Sequence, residues 1–280
     1  MTDGESLDFD ALHAKGFQIE FHSHAKAILT QDFPEALREL HGALSALTIP
    51  IEEIIAGGGG EAKGTQRLRK DLAGRKWPKT EFIVRKTING QERESISHEI
   101  DHVRTFDAGL VALEIEWNNK DPFFDRDLEN FKRLHADGAI SVGVIVTRGK
   151  ALQDKMRELV RTFVKDRLIL SIADIRQWGW DPTSKQRKWI EDRVGRKKNP
   201  MPFEDALVNK FVSDKFGEAT THWRKLEDRI RRGVGNPCPL LLVGLPDTIV
   251  TFDEGSKALK EIQEADDRVD AEEEKKAVEE

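Results

Sequence analysis

Between Leu110 and Trp117 the chain reads Leu-Val-Ala-Leu-Glu-Ile-Glu-Trp, an apolar strand broken by two acids. Alternation along a strand places Glu114 and Glu116 on one face and Ile115 on the other. Other segments fall into place around it. Phe17 to Phe21 alternates and predicts a short strand. Asp32 reads as the cap of a helix with Pro34 in its first turn, running to about Leu47 with Leu37, Leu40, Leu44 and Leu47 along one face. Ile51 to Ala56 predicts a second short helix, ended by Gly57 to Gly60. Those four glycines read as a mobile connector or a phosphate-approaching loop, and no Walker Gly-Lys-Ser/Thr follows them. Phe82–Thr87 and Glu92–Ile96 flank Asn89-Gly90, the strongest short hairpin signal. Phe124 to Leu134 predicts a helix with Leu128, Phe131 and Leu134 inward. Ala139 to Thr147 is a continuous apolar strand, Ala151 to Val164 a helix, Leu168 to Leu170 a short strand, and Pro239 to Pro246 another core strand. Strand, helix, strand in this order predicts an α/β fold with helices on the sheet faces, and a parallel crossover from the Glu114 strand to the Val142 strand.

The length of 280 residues suffices for a full core. One domain over 1–260 is expected, with a basic insert at about 174–236 and an acidic tail over 261–280 that reads as a frayed helix or disordered. The insert carries Trp178, Trp180, Trp189 and Trp223. Tryptophans so spaced are more often core than ring-stacking residues. There is no run of about 18 apolar residues, so no membrane span is expected. The acidic start lacks the apolar stretch of a secretory signal, and the single Cys238 excludes an internal disulfide and a cysteine zinc site. A cytoplasmic location is the resulting expectation.

Net charge changes the picture more than composition does. The formal charge is −6, but residues 261–280 hold ten acids against three bases, so the other 260 residues sum to about +1. Within that body, Thr183 to Met201 has seven Lys/Arg against two acids, and His222 to Gly233 has five against two. Basic clusters on a near-neutral body fit a nucleic-acid binder.

The acid pair carries the chemistry. Two carboxylates on one strand face repel, and burying them requires positive charge nearby. A third acid, Asp101, stands just upstream in His98-Glu99-Ile100-Asp101-His102. Oxygen donors gathered from adjacent strands suit a hard divalent cation such as Mg2+ (magnesium). Asp101 and Glu114, with the Ile115 carbonyl, would hold it, and Glu116 would orient or deprotonate an attacking water. The plain alternative is a solvent-facing strand face, but Val111 and Leu113 fill the other phase and Trp117 follows. Paired acids of a glycosidase would have to flank a sugar bond, and neighbours on one strand face are too close for that. His98 and His102 read as groups behind the acids, as phosphate contacts or as surface.

The run His98 to Val103, followed by Leu113-Glu114-Ile115-Glu116-Trp117-Asn118-Asn119-Lys120-Asp121-Pro122-Phe123, resembles the type II restriction endonucleases of the BglII and BstYI group, with BamHI a more distant relative. The similarity is best over about 57–150 and about 217–250. It implies a restriction-endonuclease-like core with a mixed central sheet flanked by helices, in which Asp101 and Glu114 match metal ligands. Glu116 stands where most of the wider superfamily carries lysine, which is the BamHI-like variant. The resemblance also implies a fourth active-site position upstream of Asp101, for which Glu81, preferred over Thr80 for its chemistry, is the candidate. It further implies double-stranded DNA as partner, Mg2+ as cofactor, a homodimer acting on a palindrome with a GATC core, and 5′ overhangs. Candidate DNA contacts are Asn118, Asn119, Lys120, Ser184, Lys185, Arg187, Thr220, Thr221, His222 and Arg224, most of which would be phosphate contacts or solvated surface. Two rivals share this core: a structure-specific repair nuclease, and a DNA-binding protein without activity.

Overall fold

A computed structural model describes residues 9–56 and 62–252. In chain order the elements are α1 Asp10–Ala14, β1 Gln18–His22, α2 Ala25–Asp32, α3 Pro34–Ser45, β2 Ile49–Pro50, α4 Ile51–Ile55, α5 Lys63–Gly74, β3 Thr80–Ile88, β4 Gln91–Ile100, β5 His102–Phe106 and β6 Gly109–Glu116. There follow α6 Phe123–Ala136, β7 Val142–Arg148, α7 Lys150–Asp166, α8 Ile172–Arg176, α9 Ser184–Val194, α10 Phe203–Lys215, α11 Trp223–Arg231, β8 Leu240–Leu245 and β9 Val250–Thr251. No described helix is long and apolar enough to cross a membrane. The glycine run and the acidic tail fall outside the described residues.

These elements form two compact units. The first, among the described residues, comprises 9–47, 65–154 and 218–248 and holds a five-stranded mixed sheet in the order β1-β8-β7-β6-β5. β6, β7 and β8 are parallel, with Glu114 level with Ile145 and Glu116 level with Thr147. β1 and β5 run antiparallel on the two edges. β7 is buried along its whole length, as strands covered on both faces must be. One face carries Ala112, Ile145, Leu240 and Leu242, packed against Phe124, Leu128, Phe131 and Leu134 of α6 and Trp223 and Leu226 of α11. Burial of these side chains contributes roughly 1.5–3 kcal/mol each relative to exposure. Two strand glycines allow the helices this close. A Cβ at Gly143 would lie 2.5 Å from Phe131, and one at Gly244 2.7 Å from Trp223.

The hairpin of β3 and β4 turns on Asn89 and Gly90, both at positive φ (53° and 76°), as a two-residue primed turn requires. In the second unit, the described residues 48–56, 62–64, 155–217 and 249–252 are helical apart from loops and the parallel pair of β2 and β9. Arg167 reaches the buried Glu52 at 3.0 Å there, and Trp180 packs edge-on against Phe211. The stretch expected as one insert is divided: α8, α9 and α10 lie in the second unit, and α11 in the first.

Three local expectations require correction. Asp32 does not cap α3; it is the last residue of α2, a helix the periodicity does not reveal, and Phe33 stands at the junction without a side-chain cap. Leu168 to Leu170 is not a strand. It is the turn after α7, with Leu168 at φ 51° and both leucines at about three-quarters exposure, 74% and 77%. Asp101 falls between β4 and β5 rather than within a strand.

Candidate active site

At the carboxyl ends of the parallel strands the apolar face of the sheet gives way to Glu114 and Glu116. Ligands of open α/β sheets bind at this end. Both carboxyls are buried, at 3% and 2% exposure. A further acid beside them and Asp101 is Asp127 of α6, fully buried. Glu81 lies exposed on β3, opposite Glu99 in the hairpin, and its carboxylate accepts a hydrogen bond from Ser97 Oγ. Thr80 bonds the Pro78 carbonyl.

Burial, and then the charges of Asp127 and Asp101, push the Glu114 carboxyl up to about 10; it also hydrogen-bonds Asp101. Glu116 is pushed up to about 8, chiefly by burial and by Asp127, against the pull of a hydrogen bond from Asn119. Burial likewise raises Asp127. Asp127 Oδ2 has no donor. Its carboxyl lies against that of Glu116.

Two arginines offset part of this charge. Arg69 of α5 donates to Asp101 Oδ1 at 2.8 Å. Arg126 lies 2.7 Å from Asp127 Oδ1 and 3.7 Å from Glu116 Oε1, with its guanidinium 4.5 Å above the Phe123 ring. Among the described residues, no three acids or histidines already converge as a finished metal cage. Asp101 is shared between Arg69 and Glu114. The donor set nevertheless fits a hard divalent cation: buried, oxygen-only, crowded with negative charge and carrying one carboxylate oxygen without a donor.

The histidines beside Asp101 are both buried. His102 Nδ1 lies 2.9 Å from the Trp77 carbonyl, and burial lowers its pKa.

The candidate DNA contacts divide by exposure. Asn119 and Lys120 are exposed and Asn118 half-buried; Asn119 Nδ2 donates to Glu116 Oε2 at 2.8 Å. Lys120 forms an antiparallel bridge to Thr220. Thr221 and His222 are fully buried, and burial pushes His222 down to about 4, so it is neutral near pH 7. Arg224 is exposed and bonds Asp154 at 2.7 Å. Ser184, Lys185 and Arg187 open α9 in the second unit, the first two exposed.

Asp127 was missed by the sequence reading. Its signal is the spacing Phe124-Asp127-Leu128-Phe131, which puts an acid on the inward stripe of a helix.

A mixed α/β sheet flanked by helices, with Glu114 and Glu116 near the end of β6 and Asp101 and Asp127 beside them, fits a restriction-endonuclease-like nuclease. The family model described as restriction endonuclease BglII/BglIII matches residues 17–245. The chain belongs to that family and is a type II site-specific deoxyribonuclease, a DNA endonuclease of a kind that uses divalent metal ions. A comparison with curated proteins gives no match.

Proposed function

We propose that this enzyme is a homodimer that hydrolyses both strands of a palindrome with a GATC core, with Mg2+, leaving 5′ overhangs. The observation that carries the chemistry is the buried acid set at the end of β6, with a carboxylate, Glu116, in the position of the superfamily lysine. Asp101 and Glu114, with the Ile115 carbonyl, would hold the cation. Bound there, it would offset phosphate charge and acidify water. Glu116 takes the proton of the attacking water at Oε1, while Asn119 fixes Oε2. Asn118, Lys120 and Thr220 meet the bases and phosphates beside the site. Lys185 and Arg187 supply backbone contacts from α9. A palindrome read symmetrically needs two copies, one active site per strand.

A plasmid of known sequence digested with Mg2+ should yield discrete fragments sharing one end sequence. Asp101→Ala and Glu114→Ala should each reduce cleavage by at least about a hundredfold and leave the fold intact by circular dichroism. Retained cleavage sinks the site assignment. A smear instead of bands favours a structure-specific nuclease.

A further inference from the structure

Arg148 closes β7 and is fully buried. Its guanidinium spends its donors on two loops. Nε donates to the Trp117 carbonyl at 2.7 Å, and Nη2 to Thr220 Oγ1 and the Thr221 carbonyl, both at 2.7 Å. Nη1 is held by Gln153 Oε1 at 2.6 Å. The two loops are also joined to each other. Thr221 N donates to the Asn119 carbonyl at 2.8 Å, and Asp121 N to the Ala219 carbonyl at 3.0 Å. The first loop then reaches the catalytic face through Asn119 Nδ2, 2.8 Å from Glu116 Oε2.

We propose that Arg148 is a positioning residue: one buried guanidinium fixes the register between the 117–121 and 219–222 loops and, through Asn119, the orientation of Glu116, so that reading of the target is coupled to cleavage. The inference rests on the proposed reading of these loops as DNA-facing. Only a planar fork with several donors can serve acceptors in both loops at once. Lysine keeps the charge but cannot reproduce that fork. Removing the guanidinium takes one hydrogen bond from each of two buried carbonyls and a hydroxyl.

The test compares wild type with Arg148→Lys, Arg148→Gln and, should these fail to fold, Gln153→Ala, which removes the acceptor at Nη1. Hydrogen exchange is read on peptides covering both loops and on β7 and β8. The expected result is exchange about tenfold faster in both loops with the strands unchanged. Discrimination is read as the ratio of kcat/KM on the target duplex to that on a duplex with one base pair altered. The folded fraction cancels in that ratio, so loss of stability alone cannot move it. Discrimination is expected to fall by about fivefold or more, and Asn119→Ala should add little on top of Arg148→Lys, since both act through one chain of contacts. A smaller fall, or loops that exchange at the wild-type rate, overturns the proposal. If wild type cuts no defined site, the reading of function fails instead, and the exchange measurement alone decides whether Arg148 clamps the loops.

Discussion

Glu114 is a carboxyl that folding makes harder to ionise. Its folded-state value of about 10, and that of about 8 for Glu116, both lie above the ordinary carboxylate range. The folded protein therefore binds protons that the unfolded chain releases, and stability falls as pH rises from the unfolded value toward the folded ones. Without divalent ions, wild type should lose up to about 1.4 kcal/mol per pH unit for each proton retained between roughly pH 5 and 8. Urea unfolding in EDTA at pH 6 and pH 9 checks this. Glu114→Gln should show a flatter dependence than wild type, and identical slopes would remove the argument. Mg2+ should restore wild type at pH 9, because a bound cation holds the carboxylates ionised. The two β6 acids are legible in the sequence because they interrupt an apolar strand. Asp127 is harder to read, because α6 also carries Asp125, Arg126 and Glu129 and one more acid blends into its polar positions.

Elements with a strong local signal follow the sequence closely. The Asn89-Gly90 turn, the apolar β7 and the Leu128-Phe131-Leu134 stripe each depend on contacts or dihedrals within a few residues. α2 escapes because its entry, His24 at φ 65°, has no capping side chain and only Ala25 and Leu29 are buried. The packing of α11 is decided by distant partners. Trp223 lies over Gly244 of β8, so Gly244→Ala forces the indole or the strand to shift. That substitution should cost about 1–3 kcal/mol, as overpacking of a filled core does. It should also move the start of α11, and with it the preceding loop that Arg148 holds. Thermal unfolding measures the cost. An unchanged midpoint would show that the contact between Trp223 and the sheet is looser than the close approach implies.

For the whole chain, charge is distributed so that the net value conceals the binding surface. With ten acids and three bases in residues 261–280, removing that tail shifts the formal charge from −6 to about +1. The basic stretch that follows α9, Arg196-Lys197-Lys198, is exposed, as is Lys185 at its start. A phosphate backbone is attracted by the sum of these fields over a Debye length and beyond, and the tail opposes that attraction at low ionic strength. Deleting residues 261–280 should therefore tighten binding to random-sequence duplex by about threefold or more near 50 mM salt, with the gain fading toward 300 mM. Fluorescence anisotropy across a salt series reads this directly. Discrimination between target and altered sites should stay unchanged by the deletion, because the gain strengthens every complex by a similar factor while base contacts are unaltered. Equal affinity of the full-length and shortened chains for random DNA at low salt would mean that the acids act only on solubility and do not screen the basic surface from DNA.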